Sequence, residues 1–580
     1  MTAFGFNPAT PHSGRFLLQT ILFVLGGFLF LTAWLVPNHY SPWTSFHNEA
    51  AAFSALIVFC LGAVANPKSV RLPWSTLTIF TGLILVIWFQ RAGGQIAYSG
   101  DALVSSLYLV GIAISWWLGA HSALVSRKPD CAVIFFAALM VFAAVISGFI
   151  AVLQWLNLES ILGIFAAERG PNMRPYANLA QPNLLGTLLV MGMVFGYLLY
   201  IYQRINVLQI GLLAFFLSFG LTVTESRAGL LSAFCVGVFF VARGKPAWRI
   251  GGWRVVAVWW GLLLSFAALW RPLNEALLLQ AARQTVIGVD NARLMLWKQM
   301  IAAIHDAPWV GYGWRQTIVA QRIGIESVPG DSPTDYAHNV VLDVVAWVGL
   351  PFGALLLLLA IWWIFRTIRD LKDSTEFFLF IATIPFFVHS MVEFPFAYAF
   401  FLFPVAWIYG NLHAKQLPSK YYLRMSMSGV ERVLAWVGII SFTILCCQVV
   451  FEYLDAEEDL RVMRFELRNL GATPVNHEAP QLVFLTQLDE MLKMGRVKPL
   501  RGMSQGTLDR MRRANSSMNW GALHLNYVMA LGMNGQSEEA KKQLQILGAL
   551  YGPSTYRAAT EELRKFRDNG YPELALIQNN

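Results

Sequence analysis

Charge is what this sequence has least of. Only 13% of its 580 residues are Asp, Glu, Lys or Arg, against roughly 25% in a soluble globular chain. That deficit excludes a free-standing soluble enzyme and a disordered chain. Cysteine is scarce as well. Cys60, Cys131, Cys235, Cys446 and Cys447 all lie within or at the edges of apolar runs, so neither a disulfide framework nor a Cys/His metal spacing follows. A cleavable leader is also missing from the expectation: the first apolar run, 16–36, is too long for a signal-peptide core, and no small-residue cleavage site follows it.

What the chain has instead is long apolar runs, with 56% hydrophobic and 14% aromatic residues. They fall at about 16–36, 50–65, 74–90, 102–120, 131–155, 184–202, 206–223, 228–242, 255–270, 340–365, 377–391, 396–412 and 433–452. A helix needs about 20 apolar residues to cross a bilayer. The expectation is an all-α, polytopic membrane protein with about thirteen transmembrane helices.

The basic residues then set orientation. With the N-terminus in the cytoplasm, the even-numbered connections carry Lys68/Arg71, Arg127/Lys128, Arg204, Arg243/Lys245/Arg249/Arg254, Arg366/Arg369/Lys372 and Lys415/Lys420/Arg424/Arg432. The short odd-numbered ones are poor in Lys and Arg, a positive-inside pattern. The net charge of +9 is accounted for by those loops, so nucleic acid is not an expected partner. An odd number of spans places the C-terminus outside.

From about Asp455 charged residues become frequent and no spanning run follows. Residues 455–580 read as a soluble helical domain after a membrane domain at 14–454. Gly521 to Gly535, then Glu539-Ala540 and Leu544, resembles one tetratricopeptide unit, a helix pair joined at Asn534-Gly535.

The orientation gathers the polar residues near membrane ends on the outer side. They are Arg169, Arg174 and Gln181, then Glu225 and Arg227, a long loop at 271–339, and Glu393 with Tyr398. Ionisable groups at membrane depth are costly and mark function by default. Thr224-Glu225-Ser226-Arg227 is a very short connection, which puts Arg227 at the hydrocarbon edge. Its guanidinium is a planar donor fork suited to phosphate oxygens. Asp290 to Ile304 reads as an interfacial helix with Arg293 and Trp297 on one side. In Tyr176-Ala-Asn178-Leu-Ala-Gln181-Pro182-Asn183, side-chain amides and a phenol cluster at a helix start, with Pro182 in the first turn. They suit either capping or the reading of sugar hydroxyls.

The long loop ends in Asp335-Tyr-Ala-His338-Asn339, where the next apolar run begins. Imidazole is the side chain suited to taking a proton under physiological conditions, so His338 is a candidate general base. Metal binding is the competing use, since His389 and Glu393 are four apart and face one side of a helix. No H-E-x-x-H or Cys/His spacing supports it, so no metal is expected. Asp343 faces Asn339 better than His338 by helical angle and is not read as a catalytic partner.

Arg174-Pro-Tyr-Ala-Asn-Leu-Ala-Gln181-Pro-Asn, Glu225-Ser-Arg227-Ala-Gly, Arg293-x3-Trp297, His338-Asn-x2-Leu342 with Gly349, and His389-Ser-Met-Val-Glu393-Phe-Pro395-x2-Tyr398 together resemble the PglL-type bacterial protein O-oligosaccharyltransferases. These belong with the O-antigen ligases and Wzy-type polymerases. The resemblance covers roughly 14–450. It implies transfer of an oligosaccharide from an undecaprenyl-diphosphate carrier to a Ser or Thr hydroxyl of a periplasmic protein or pilin. It implies a multi-pass protein of the bacterial inner membrane, with its site facing the periplasm and no metal or other cofactor. His338 maps onto the essential histidine. Arg227 maps best onto the diphosphate-binding arginines, with Arg174 and Arg293. Gln181 and Tyr398 map onto substrate-positioning residues, and Asn339 and Glu393 are taken with them. The same site with a sugar acceptor would make an O-antigen ligase or a Wzy-type polymerase.

Overall fold

A computed structural model of the chain describes residues 13–64, 70–125, 130–170, 173–245, 251–279, 291–330, 332–417, 422–425, 429–467, 470 and 477–577. Asp290 and the basic loop residues Lys68, Arg127, Lys128, Arg249 and Lys420 lie outside them.

The apolar runs become helices because a helix satisfies its backbone polar groups within one segment, as hydrocarbon demands. In chain order they are α1 (Ser13–Leu35), α2 (Phe46–Val64), α3 (Trp74–Ala92), α4 (Ser99–Val125), α5 (Asp130–Trp155), α6 (Pro182–Ile201), α7 (Val207–Val223), α8 (Arg227–Arg243) and α9 (Trp253–Ala276). The loop region holds α10 (Asn291–Asp306) and α11 (Thr317–Ser327). Next come α12 (Val340–Val348), α13 (Leu350–Arg369), α14 (Ser374–Ile381), α15 (Ile384–Ser390), α16 (Ala399–Gln416) and α17 (Val430–Leu467). The C-terminal part is α18 (Thr486–Arg496), α19 (Gln505–Ser517), α20 (Gly521–Met533) and α21 (Ser537–Asp568). Among the described residues the fold is helical but for short 3-10 turns, loops and an antiparallel ribbon, β1 (Val70–Pro73) with β2 (Tyr422–Met425), in which Val70 pairs with Met425.

Among the described residues, nine helices are long and apolar enough to cross a membrane: α1 to α6, α9, α13 and α17. The chain is a multi-pass membrane protein. The other four apolar runs are helical too, but shorter or interrupted. α7 and α8 have 17 residues each. α14 and α15 are parted at Ala382 and Thr383, and α16 carries Pro404.

The run at 340–365 departs from the sequence expectation of one helix. It breaks at Gly349, where φ is 80° and an added Cβ would lie 2.3 Å from the Trp309 carbonyl oxygen. His338 therefore precedes the nine-residue α12, and the spanning helix starts only at Leu350.

The chain divides into two compact units. The first is formed by residues 1–81, 108–287 and 362–446. In it α1 packs on α2, α5 on α6, and α8 on α15, around fully buried Trp34, Phe195, Phe377 and Phe401. α4 and α16 cross closely: a Cβ on Gly119 would come within 1.9 Å of the Trp407 carbonyl oxygen. Small residues permit such backbone approach between membrane helices.

The second unit is formed by 82–107, 288–361 and 447–580. Here α10, α11 and α12 pack around Leu296, Met300, Ala320 and Ala346. α18 to α21 enclose a core that includes Met511, Tyr527, Leu531 and Leu547. α20 and α21 form the expected helix pair, joined through Gly535 at φ 80°. Glu452 on α17 accepts the backbone N–H groups of Val483, Phe484 and Leu485, which ties the C-terminal helices to α17. The buried Arg322 on α11 donates to the Met518 carbonyl at 3.0 Å, and Lys542 pairs with Glu326 at 3.1 Å. The loop helices and the C-terminal helices are thus parts of one unit.

Candidate functional site

The sequence-predicted residues fall into two groups, one in each unit. The first begins at the loop between α5 and α6. Gln154, fully buried near the end of α5, organises it. Its Nε2 donates to the carbonyls of Ala167 and Ala177 at 3.0 and 2.9 Å. Its Oε1 accepts from the N–H groups of Tyr176 and Ala177 at 3.0 and 2.7 Å. Asn178 is used in the same way: its amide donates to Leu35 and Phe165 and accepts from Ala167. These bonds satisfy a buried loop that would otherwise carry stranded polar groups.

That loop delivers Arg174 and Gln181. Arg174, half-buried, donates to the Glu225 carbonyl at 3.0 Å. Glu225 has φ 50° in the α7–α8 turn, and its side chain accepts from the Trp270 indole at 3.2 Å. Ser226 caps α8, accepting from Gly229 N–H. Arg227 is the first residue of α8 and is exposed. The Arg174 guanidinium therefore reaches the turn from which Arg227 and the N-terminus of α8, the positive end of its dipole, begin.

Gln181 stands just ahead of α6, with Pro182 in the first turn as expected. Its Nε2 donates to one oxygen of the buried Glu393 carboxylate at 3.0 Å, and Asn183 Nδ2 donates to the other at 3.0 Å. Asn183 Oδ1 accepts from the Ser226 hydroxyl at 2.8 Å. The network thus runs from the turn beside Arg227, through α6, to the turn that follows α15; Glu393 lies beyond the last helical residue, Ser390, and not on one helix with His389 as the sequence spacing suggested. His389, one turn before Glu393 and fully buried, shares a 2.8 Å hydrogen bond with the Thr187 hydroxyl through Nδ1. Tyr398 precedes α16 and packs against the rings of Phe394 and Phe400. The next N–H, that of Ala399, is held at 2.7 Å by Glu49, a buried carboxylate on α2.

The second group surrounds His338, half-buried in a left-handed conformation with φ 53°. Asn339 caps α12, its Oδ1 accepting from Val341 and Leu342 N–H. Arg293 lies on α10, one turn before Trp297, whose indole donates to the Ala337 carbonyl at 3.0 Å. On the other side, Ala337 N–H donates to the buried carboxylate of Asp343 at 2.9 and 3.1 Å. Burial pushes the Asp343 carboxyl up to about 7, against the opposing effects of the Thr317 hydroxyl, the Ala337 N–H and His338. Trp347 reinforces this end of α12: its indole donates to Thr317, and its carbonyl accepts from Gln90 Nε2 at 2.9 Å.

The structure thus brings Arg174 to the turn of Arg227, and Gln181 to Glu393. It places Arg293, His338 and Asn339 in the other unit. Sequence reasoning did not single out Gln154, Glu49, Thr317 or Ser226 as organisers. The signal for the first two was there: a lone Gln in Ile-Ala-Val-Leu-Gln-Trp-Leu and a lone Glu ahead of Ala-Ala-Ala-Phe are polar residues in apolar helices. Among the described residues no group of three or more His, Cys, Asp or Glu is arranged to hold a metal ion.

Comparison with known proteins agrees with the family resemblance. Residues 212–358 match the family described as O-Antigen ligase. Residues 378–564 match the family described as Virulence factor membrane-bound polymerase, C-terminal. A general O-oligosaccharyltransferase of Acinetobacter baylyi is 28% identical over 556 residues, 92% of this chain and 93% of the relative. A ComP-specific O-oligosaccharyltransferase of the same organism is 26% identical over 435 residues, 73% of this chain and 77% of the relative. The chain is an oligosaccharyltransferase, similar over most of its length to these O-oligosaccharyltransferases and, over 212–358, to the O-Antigen ligase family.

Proposed function

We propose that this enzyme carries out O-linked protein glycosylation. It moves an oligosaccharide en bloc from an undecaprenyl-diphosphate carrier to a Ser or Thr hydroxyl of a periplasmic protein or pilin. The observation that carries the reading is the Arg174–Glu225 bond, which brings a second arginine to the turn where Arg227 opens α8. Such a turn suits a diphosphate, which is dianionic and leaves with the electron pair of the broken bond. Arg293 is proposed as a third cation for it.

In this reading His338 takes the proton of the acceptor hydroxyl. The hydroxyl oxygen forms the new bond to the anomeric carbon while the carbon–oxygen bond to the carrier breaks. One inverting displacement is the simplest course, since no pair of carboxylates in a hydrolase arrangement is evident in the sequence. Gln181, Glu393, Asn339 and Tyr398 position the sugar. No metal or other cofactor is assigned a role.

The orientation proposed is the positive-inside one. The enzyme then lies in the bacterial inner membrane with about thirteen spans, its 271–339 loop and its C-terminus in the periplasm. Residues 14–454 form the membrane domain, and 455–580 form a tetratricopeptide-like domain that positions the acceptor. The ties between α11 and the C-terminal helices support that last role.

The names of the relatives favour a protein acceptor, while the ligase and polymerase families leave a sugar acceptor as the competing reading. Mass spectrometry of periplasmic and pilin proteins, with and without the gene, decides. Glycopeptides that disappear on deletion and return on complementation are expected. Unchanged protein glycosylation with loss of a surface polysaccharide would favour the ligase or polymerase reading.

A further inference from the structure

Behind His338 lies a buried carboxylate to which the transfer reaction, as proposed, gives no part. Asp343 is in the first turn of α12 and has no exposed surface. Its bonds go to the peptide ahead of His338. Ala337 N–H donates to both of its oxygens, at 2.9 and 3.1 Å. The Thr317 hydroxyl donates to Oδ1 at 2.7 Å and accepts from the Trp347 indole at 2.8 Å. The Ala337 carbonyl is taken by Trp297 at 3.0 Å. Ala337 is therefore gripped on both sides.

The residue that follows is His338, at φ 53°. A residue other than glycine adopts that left-handed conformation uncommonly, histidine more readily than most, and at a cost that the surroundings must offset. Two anchors enforce it. Asn339 caps α12 immediately after, and Asp343 holds the N–H immediately before. Burying a carboxylate is costly unless it is fully hydrogen-bonded, so its place here asks for a use.

We propose that Asp343 is a positioning residue for His338: by holding the Ala337 N–H from within α12, it fixes the strained turn that presents the imidazole. This rests on the reading of His338 as the base. A misplacement of about 1 Å at a catalytic group can lower a rate by about 10²-fold without touching substrate binding. Asp343 acts on the backbone and on no substrate atom, so its loss shows in kcat and not in the donor KM.

The test is steady-state transfer by the purified full-length enzyme with a lipid-linked oligosaccharide donor. Asp343→Ala is expected to lower kcat about 10²-fold with the donor KM unchanged. Asp343→Asn keeps a side-chain oxygen able to accept from both Thr317 and Ala337, and is expected to recover kcat to within about tenfold of wild type. Thr317→Val, which removes the hydroxyl that steadies Asp343, is expected to lower kcat in the same sense and serves where Asp343→Ala fails to fold. Wild-type kcat in Asp343→Ala, or in Thr317→Val if the alanine variant does not fold, overturns the proposal. So does an equal loss in Asp343→Ala and Asp343→Asn, which would assign the effect to charge. Full transfer by His338→Ala would instead sink the base reading, and with it any positioning role.

Discussion

Gln181 and Glu393 are 212 positions apart in sequence, yet the amide of one donates to the carboxylate of the other at 3.0 Å. With Asn183 on the second carboxylate oxygen, this bond joins the start of α6 to the turn after α15. Both residues were singled out from sequence for their polarity beside apolar runs. Their bond is a property of the folded chain.

Removal of this junction has a defined consequence. Glu393→Ala leaves the Gln181 and Asn183 amides without their acceptor. An unsatisfied buried donor costs about 1–3 kcal/mol, so the thermal unfolding midpoint in detergent is expected to fall and transfer to weaken. Glu393→Gln keeps one acceptor of the two and should fall between. An alanine variant with wild-type midpoint and rate would show that the network stabilises nothing.

Gln154 offers a separate handle on the loop that carries Arg174 and Gln181. Gln154→Leu is near in volume but strands two carbonyls and two N–H groups. A loss of at least about 2 kcal/mol in unfolding free energy is expected, with a raised donor KM because Arg174 loses its support. Denaturation and donor titration of the same preparation check both. An unchanged KM would separate this loop from donor binding.

Asp343 makes a pH prediction. Unfolded, its carboxyl ionises near the ordinary 3.8, while in the fold burial delays ionisation to about 7. Between those values the folded state holds the extra proton, so this group's contribution to stability falls as pH rises from about 4 to about 7 and is level above. Asp343→Asn removes that slope. The check is the difference in unfolding midpoint between wild type and variant across the window. A difference that grows in favour of wild type with rising pH would reverse the sign and refute the assignment.

Much of the architecture was legible because hydrocarbon imposes one rule on the backbone. Each of the thirteen apolar runs is helical, and the amphipathic loop helix expected at 290–304 appears as α10. Hydropathy could not show the break at Gly349, because Leu350-Pro351-Phe352 continues the apolar run without a charge. The break depends on a left-handed residue and on the close pass of Trp309. The site was legible as residue types and not as bonds. His338 and Arg227 stood out as ionisable groups at membrane edges. Asp343 was set aside on helical angle, which predicts side-chain neighbours along α12 but not a bond back to the peptide of Ala337.

The central claim is that His338 acts on the acceptor hydroxyl while Arg227 holds the donor diphosphate. Its most direct test measures lipid-linked donor binding and oligosaccharide transfer separately in purified His338→Ala and Arg227→Ala. General-base assistance is worth about 10²–10⁴ in rate. The account predicts that His338→Ala loses transfer on that scale while donor affinity stays near wild type, and that Arg227→Ala loses donor affinity. Near-wild-type transfer by folded His338→Ala, or a loss of donor binding equal to that of Arg227→Ala, would contradict it.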